Sequence, residues 1–239
     1  MKNEKEKIEA QQCPQKQLLI TIDGPAGAGK TTVSRLIAAE LSYRYVDTGA
    51  LYRCIALAAI DAGIQAEDDE SLEVLCRDLN LEVQVDGHTT HLVLNGKDVS
   101  QQIRTPEITM MASAVSARAV VRKYLLKIQQ ELGALKSAVF EGRDMGTVVF
   151  PHADIKFYLD AAVVTRALRR YKEMGETGKQ TLDQVESDMR RRDTNDSQRD
   201  LAPLKPAADA IIIDVTHLSV EQAVRSLLSH IRRLAQCSA

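Results

Sequence analysis

The sequence contains no tryptophan, and all aromatic residues together make up only 4% of the chain. A nucleic-acid surface built on stacked tryptophan rings is therefore excluded. The sequence also lacks an excess of basic residues, because 31 Lys and Arg stand against 33 Asp and Glu, for a formal net charge of −2. That balance gives no support to a general role at nucleic acids or membrane surfaces. No apolar run approaches the length of a membrane span.

Cysteine and histidine are also sparse, which bears on disulfides and metal sites. The four cysteines are scattered along the chain without C-x-x-C spacing, at Cys13, Cys54, Cys76 and Cys237. This pattern is typical of free thiols in a reducing cytosol rather than of a disulfide frame or a metal site. His88 and His91 are near neighbours without further candidate ligands, so we interpret them as surface residues of a hairpin.

Residues 1–16 are charged and rich in glutamine, and they lack the apolar segment of a signal peptide. We therefore expect a disordered tail over these residues and a cytoplasmic protein. Residues 17–239 are expected to form a single domain, because their number and a 44% hydrophobic content are those of an ordinary globular protein.

The most informative stretch of the chain is a glycine-rich loop between a predicted strand and a predicted helix. Residues 18–22 form a short apolar run, residues 24–31 match G-x-x-x-x-G-K-[ST], and residues 32–41 have the composition of a helix. This order predicts a phosphate-binding loop for ATP, made of Gly24, Pro25, Ala26, Gly27, Ala28, Gly29, Lys30, Thr31 and Thr32. The alternative is a glycine-rich turn that binds nothing.

Each residue type in the loop has a chemical reason. The glycines let backbone N–H groups approach phosphate oxygens closely, and the following helix directs its positive end to the same place. Lys30 supplies a positive charge for the β- and γ-phosphates. Thr31 offers a hydroxyl to a Mg²⁺ ion that bridges these phosphates.

Strands and helices alternate along the rest of the chain, which predicts an α/β fold. We expect a five-stranded parallel sheet with helices on both faces. The strands are predicted at 18–22, 43–47, 136–141, 154–160 and 210–215, and the flanking helices at 32–41, 50–62, 163–174 and 219–235. The remaining predicted elements are a helix at 67–80, an antiparallel hairpin at 81–85 and 91–94, one or two helices over 106–132, and a charged helix at 182–192.

Two excursions are predicted to leave the sheet near the carboxyl ends of its strands, where α/β folds bind ligands. The first is a monophosphate-binding insert at 64–122, which contains the hairpin as a small antiparallel sheet, and the second is a lid at 175–202. The core then comprises residues 17–63, 123–174 and 203–239.

Arginines are the natural candidates for catalysis on a phosphoryl group, since that reaction depends on positioning and charge neutralisation. Arg53 and Arg143 each follow a predicted strand, while Arg192 and Arg199 flank a polar segment at 193–198 that we interpret as a mobile loop of the lid. The alternative for each is a solvated surface charge. We assign that alternative largely to the arginines in predicted helices, although their spacing would also allow one helix face to reach a phosphate; they are Arg166, Arg169, Arg170, Arg190 and Arg191.

Asp144 directly follows Arg143 after an apolar strand. Its carboxylate could orient Mg²⁺ or a substrate amine. Otherwise it is satisfied by Arg143 or by backbone N–H groups.

Several segments together resemble the bacterial cytidylate kinase family of nucleoside monophosphate kinases. They are IDGPAGAGKTT at 22–32, YVDTGALYR at 45–53, VSQQIRT at 99–105, EGRDMGTVVFP at 141–151 and RRDTNDSQRDLAPLKPAADAIIID at 191–214. The hairpin also falls where this family carries an enlarged monophosphate-binding insert with a small antiparallel sheet. The resemblance covers nearly all of the chain after the tail.

The resemblance implies transfer of the γ-phosphoryl group of ATP to CMP or dCMP, with Mg²⁺ as cofactor. It also implies roles for individual residues. Lys30, Arg143, Arg192 and Arg199 would be the catalytic cations. The phosphate of CMP would be held by Thr48, Arg53, Arg143 and Arg199; its cytosine would be bound by Ser113, Arg122 and Asp144, and its sugar approached by Arg192 and Asp196.

Two other functions remain open at this stage. One is a P-loop kinase for a different small acceptor, such as another monophosphate or a sugar acid. The other is a GTP-binding switch, which would need an N-K-x-D guanine motif and a D-x-x-G segment, and the sequence has neither. For the cytidylate kinase that the resemblance implies, the expected partners are the small-molecule nucleotides ATP, CMP and dCMP, with no nucleic acid and no membrane, and the expected state is a monomer.

Overall fold

The computed structural model describes residues 17–86, 89–175 and 180–236. Within these ranges, no helix is both long enough and apolar enough to cross a membrane. The predicted tail, Cys13, Cys237, His88 and residues 176–179 lie outside the described residues. Cys54 and Cys76 are buried free thiols, as predicted.

The central sheet has five parallel strands, which confirms the predicted fold. Its strands are β1 (Leu19–Asp23), β2 (Arg44–Asp47), β6 (Ala138–Glu141), β7 (Ile155–Asp160) and β8 (Ile211–Asp214). They lie in the order β2-β6-β1-β7-β8. The register aligns Ile22 of β1 with Glu141 of β6 and with Phe157 of β7, so these strands end at the same edge of the sheet.

A second, antiparallel sheet lies in the predicted insert. It contains β3 (Leu81–Asp86), β4 (Thr89–Leu94) and β5 (Lys97–Asp98), of which the two-residue β5 was not predicted. The Thr90 hydroxyl donates to the carbonyl oxygen of Tyr45 on β2, which ties this sheet to the core. The bounds of the predicted insert and lid remain a prediction.

Eight α-helices lie within the described residues. They are α1 (Lys30–Leu41), α2 (Thr48–Asp61), α3 (Asp69–Asp78), α4 (Pro106–Val115), α5 (Ala119–Ala134), α6 (Val163–Met174), α7 (Leu182–Gln198) and α8 (Val220–Gln236). A 3₁₀ turn at Gln102–Arg104 and a π-helix at Met145–Val149 were not predicted. The π-helix directly follows the segment that carries Arg143 and Asp144, and π turns are frequent near functional sites.

Two buried clusters hold the carboxyl edge of the sheet in place. One surrounds α2, whose Leu51, Ile55 and Ala59 are fully buried against α3, α4, α5 and the antiparallel sheet. The other packs α1 and α8 against β1, β7 and β8 around Ile20, Ile22 and further apolar side chains. Because both clusters touch elements that end or begin at the carboxyl edge, the loops there are anchored on rigid supports.

The prediction of a polar loop at 193–198 was wrong, because α7 continues through Gln198. The buried stripe of this helix begins with Val185 and Met189 and ends with Asp196. Its later positions are polar residues that bond arginines from other elements, so hydrophobic periodicity could not reveal them. Arg192 therefore lies within a helix and Arg199 at its C-cap.

Candidate active site

The predicted phosphate loop runs from the end of β1 to the start of α1. Gly24 has a φ of +144°, and a Cβ built there would lie 2.0 Å from the carbonyl oxygen of Leu159, so only glycine fits. Lys30 begins α1, and its Nζ donates to the carbonyl oxygen of Pro25 at 2.7 Å. The ammonium is thus folded over the loop, beside the positive end of a helix.

The electrostatics of the loop suit a polyanion. Lys30 is buried, and its pKa is lowered to about 7, first by burial and then by the positive charge of Arg143. The carboxylates of Glu141 and Asp23 act in the opposite direction. A phosphate at this position would favour the charged ammonium, because an opposite charge nearby stabilises the ionised form.

Glu141 is a candidate site residue that the sequence analysis did not identify. It ends β6 beside the phosphate loop, and its Oε1 accepts a hydrogen bond from the Thr31 hydroxyl at 2.8 Å. Its Oε2 is buried next to Tyr45 without a hydrogen bond of normal geometry from the described residues. Its pKa is raised, first by burial and then by the negative charge of Asp47. The available signal was an acidic residue at the end of the strand adjacent to β1.

Two predicted catalytic cations, Arg143 and Arg192, lie near Lys30 of the phosphate loop. Burial, followed by the positive charge of Arg143, lowers the pKa of Arg192 to about 10. The charges of Arg143 and Arg192 also lower the pKa of Lys30. The Arg192 Nε is buried without a hydrogen-bond partner among the described residues. Cations that are held close enough to destabilise each other indicate a site for an anion.

Asp196 of α7 forms ion pairs with two of the predicted catalytic arginines. The Arg143 Nε donates to Asp196 Oδ2 at 3.0 Å, and Arg199 Nη1 lies 3.9 Å from Asp196 Oδ1. Asp196 is buried, with a side chain only 9% exposed. The loop after β6 and the C-terminal end of α7 therefore meet through an ion-pair network.

Asp144 is the centre of a second cluster. It is buried and forms an ion pair with Arg122, while Arg199 Nη2 lies 3.9 Å from its Oδ1. Arg122 also donates to the carbonyl oxygen of Ser116 at 3.1 Å, and its guanidinium lies 5.8 Å from the centre of the Tyr52 ring. Burial raises the pKa of Asp144, and the positive charges of Arg122 and Arg199 oppose that shift.

Ser113 lies one turn from this second cluster, on α4. Its carbonyl oxygen accepts a hydrogen bond from the Ser116 hydroxyl, which is also 3.5 Å from Arg199 Nη1. Ser113 is half-buried. The structure thus brings the predicted residues Arg122, Asp144 and Arg199 together, with Ser113 close by.

Thr48 and Arg53 lie on α2, at the edge of the cation cluster. The Thr48 hydroxyl donates to the carbonyl oxygen of Glu141 at 2.7 Å, which fixes the start of α2 against β6. Arg53 pairs with Asp47 at 2.8 Å, while its Nε is buried without a hydrogen-bond partner in the described ranges. Its charge also contributes to lowering the pKa of Arg192, so it belongs to the same electrostatic cluster.

The assignment of Arg166 to the solvated surface was wrong. It is only 5% exposed, and its guanidinium donates to the carbonyl oxygens of Ala161 and Ala26 and to Asp193 of α7 at 2.6 Å. It therefore links the phosphate loop to α7. By contrast, Arg190 and Arg191 are exposed and pair with acidic side chains of their own helix, as predicted.

Of two open cavities among the described residues, one adjoins the site. A cavity of about 280 Å³ lies between the phosphate loop and α7 and is lined by Pro25, Arg166, Asp193 and their neighbours. A larger groove of about 540 Å³ lies between α3 and α5, and no predicted site residue lines it. The smaller cavity adjoins the phosphate loop, so it is the one relevant to the site.

Comparisons with known proteins give one consistent family. The family model described as cytidylate kinase matches residues 20–233. A cytidylate kinase from Syntrophotalea carbinolica is 47% identical over 215 residues, which cover 89% of this chain and 91% of the relative. One from Citrifermentans bemidjiense is 45% identical over 221 residues, covering 92% and 95% of the two chains.

Solved structures agree at the level of the fold. An uncharacterised protein from Eubacterium ventriosum superposes with a TM-score of 0.51, covering 90% of this chain and 99% of that chain. The two sequences are 12% identical, so this likeness concerns the fold alone.

Proposed function

This chain belongs to the cytidylate kinase family, and we propose that it transfers the γ-phosphoryl group of ATP to CMP or dCMP, giving ADP and CDP or dCDP. The observation that carries the proposal is the family match over residues 20–233. The arrangement of charges supports it, because a phosphate loop faces a cluster of guanidinium groups that adjoins a buried carboxylate. No strong general base is required, since the attacking phosphate oxygen of the acceptor is already anionic.

On the donor side, we assign residues 24–32 to the phosphates of ATP. The backbone N–H groups of the loop and the Lys30 ammonium would neutralise charge that moves between the β- and γ-phosphates during transfer. Lys30 would exchange its contact with the Pro25 carbonyl for a phosphate oxygen. Arg166 would hold the loop relative to α7 while both close on the nucleotide.

On the acceptor side, we assign the phosphate of CMP to Arg53, Arg143, Arg199 and the start of α2 at Thr48. An anion here would relieve the repulsion that lowers the pKa of Lys30 and of Arg192. Arg192 and Asp196 would then lie at the sugar. Closure of α7 would exclude water from the transferring phosphoryl group.

The cytosine would bind at the second cluster. Cytosine presents an exocyclic amine beside the N3 and O2 acceptors, so a carboxylate suits the amine and an arginine suits the acceptors. Asp144 is a buried carboxylate paired with Arg122, and Ser113 lies one turn away. Uracil would reverse the hydrogen-bonding pattern at two positions and leave buried polar groups unpaired.

Mg²⁺ is the metal that we propose for ATP use by this chain, with Thr31 and Glu141 as its protein contacts. Within residues 17–86, 89–175 and 180–236, no cluster of three or more His, Cys, Asp or Glu could hold a metal alone. The buried Glu141 Oε2, which lacks a normal hydrogen bond, fits a cation or its water shell. When bound, the ion neutralises charge on the β- and γ-phosphate oxygens.

The Glu141→Gln variant should raise the Mg²⁺ concentration needed for half-maximal activity about tenfold, because it removes one negative charge from the metal's surroundings. The measurement is a titration of MgCl₂ at fixed ATP. Glu40→Gln is the matched control, since Glu40 is an exposed acidic residue that pairs with Arg232. An unchanged Mg²⁺ requirement in the Glu141 variant would remove that residue from the metal site.

The acceptor specificity is tested by ADP release from ATP with CMP, dCMP, UMP and AMP in turn. We expect kcat/KM for the better cytidine nucleotide to exceed those for UMP and AMP at least about tenfold, since unpaired buried polar groups penalise the wrong base. If UMP or AMP were clearly the best acceptor, the cytosine assignment would be overturned and another monophosphate kinase would be favoured.

We also propose that the active unit is a monomer, because every residue assigned above comes from one chain. Light scattering at the enzyme concentration used in the assay tests this directly. A dimer whose activity is lost on dilution would contradict the proposal.

A further inference from the structure

Asp23 is a buried carboxylate without a role in the donor or acceptor contacts assigned above. It is the last residue of β1 and is only 4% exposed. Although the phosphate loop follows it directly, its side chain bonds residues 122 and 123 positions later in the chain. Its Oδ1 accepts the N–H of Met145 at 2.9 Å, and its Oδ2 accepts the N–H of Gly146 at 2.8 Å.

These two N–H groups end the segment that carries the acceptor-binding side chains. Residues 142–146, here named the acceptor loop, run from the end of β6 into the first two residues of the π-helix and include Arg143 and Asp144. The N–H of Gly142 bonds the carbonyl oxygen of Ile22, so the loop is tied to β1 at its first residue as well. Both ends of the acceptor loop are therefore fixed to the last two residues of β1.

The acceptor loop also lies unusually close to β1. A Cβ built on Gly146 would lie 3.1 Å from the Thr21 hydroxyl oxygen, 3.1 Å from Lys156 Cδ and 3.4 Å from Asp23 Oδ2. With a Cβ at this position, the Thr21 and Lys156 side chains or the loop would have to shift by a few tenths of an ångström. The close approach of the acceptor loop to β1 therefore favours glycine at position 146.

Burial disfavours the ionised form of Asp23. Burial raises its pKa to about 6, and the negative charge of Asp144 raises it as well, while the two N–H groups and Lys30 lower it. Tyr158 of β7 also faces it, and burial is the main reason that the pKa of Tyr158 is raised to about 12. The carboxylate accepts both bonds only when ionised, because protonation converts one oxygen into a donor.

From this geometry we propose that Asp23 is the positioning residue that orients the acceptor loop, and with it Arg143 and Asp144, for binding of the acceptor nucleotide. The inference rests on the proposed function. The end of β1 then has two roles: the backbone after Asp23 forms the donor phosphate loop, and the Asp23 side chain fixes the acceptor loop.

The test is the Asp23→Asn variant, which keeps the size of the side chain but leaves only one good acceptor for the two N–H groups. We expect KM for CMP to rise about tenfold, because the variant loses charge-assisted hydrogen bonds that position this substrate. KM for ATP should stay within about twofold, since these bonds do not position ATP. A rise in both KM values by the same factor, or no change in either, would overturn the proposal.

Asp154→Asn is the matched control. Its carboxylate also accepts a β1 backbone N–H, that of Leu19 at 2.8 Å, but at the opposite end of the strand. This variant should leave both KM values within about twofold, since it does not touch the acceptor loop. If it raised KM for CMP as much as Asp23→Asn does, the effect would be one of general stability, and the positioning role would be overturned.

The pH dependence of kcat/KM for CMP distinguishes a positioning role of Asp23 from a merely structural one. As the pH falls, wild-type Asp23 is protonated near its pKa of about 6, whereas the side-chain amide of the Asp23→Asn variant does not titrate. The wild-type to variant ratio of kcat/KM for CMP should therefore fall toward unity on the acid side of that pKa. Protonation of the phosphate of CMP affects both enzymes equally and cancels in this ratio. A ratio that stays constant from about two pH units above the pKa of Asp23 to about one unit below it would contradict the proposal.

A second variant, Gly146→Ala, displaces the same loop without changing the Asp23 charge, and it serves if Asp23→Asn fails to fold. It should also raise KM for CMP but not for ATP, and unchanged KM values would contradict the account. If the wild-type enzyme preferred a different acceptor, the same comparisons would be made with that acceptor, so failure of the positioning role and failure of the proposed function remain distinguishable.

Discussion

The Lys30→Met variant should lose about 10³-fold in kcat, because it removes a preorganised cation from the phosphoryl group that is transferred. Lys30 lies at the start of α1, where loop amides, a helix N-terminus and its own ammonium point to one position. Methionine keeps most of the buried stem. Because burial lowers the pKa of Lys30 to about 7, its charge opposes folding at neutral pH. The melting temperature of the variant should therefore stay the same or rise by a few degrees.

The measurement is steady-state ADP release at saturating MgATP and CMP, with a melting curve for each variant. Lys156→Met is the matched control, because Lys156 is also buried and its Nζ also donates to a proline carbonyl five residues earlier, that of Pro151 at 2.6 Å. We expect this control to retain kcat within about threefold. Equal losses in the two variants would show that burial of a lysine, and not its position at the loop, accounts for the effect.

The Arg143→Ala variant should lose about 10²-fold in kcat/KM for CMP while remaining folded. The charge of Arg143 lowers the pKa of both Lys30 and Arg192, so Arg143 lies near both the phosphate loop and α7. Removing it deletes the guanidinium assigned to the acceptor's phosphate and relieves repulsion among the remaining cations. The lost ion pair with Asp196 offsets that relief, so the net change in unfolding free energy should be small.

Arg44→Ala is the control for this variant, since Arg44 also bonds backbone carbonyl oxygens, those of Leu132 and Lys136, but at the opposite end of the sheet. Its activity should equal that of the wild type. An Arg143→Ala enzyme with unchanged kcat/KM for CMP would remove Arg143 from the site.

The parts of the fold that were predictable are those with strong local signals. The strand–loop–helix order around Lys30, the apolar strands of the sheet and the stripe of α6 follow from composition and periodicity. The candidate arginines at strand ends could be found because parallel strands bring their carboxyl ends to one edge. Arg53 and Arg143, the two arginines that follow predicted strands, do lie in one cluster, since the charges of both lower the pKa of Arg192.

The parts that were missed depend on contacts between distant segments. An ion pair between Arg166 of α6 and Asp193 of α7 holds the last turns of α7 in place. Polar residues that are buried through such pairs leave no hydrophobic periodicity in the sequence. In the sequence, Glu141 and Asp23 cannot be distinguished from other acidic residues at strand ends. Their roles arise from the alignment of β1 with β6 and from the path of the acceptor loop, which local patterns do not encode.

The most direct test of the whole account is the binding of a bisubstrate nucleotide, in which adenosine and cytidine are joined by five phosphates, measured by titration calorimetry. The account predicts one molecule bound per chain, more tightly than ATP or CMP alone, with affinity reduced by both Lys30→Met and Arg143→Ala. Binding no tighter than that of ATP, or binding that the Arg143 variant leaves unchanged, would contradict a site that holds donor and acceptor phosphates face to face.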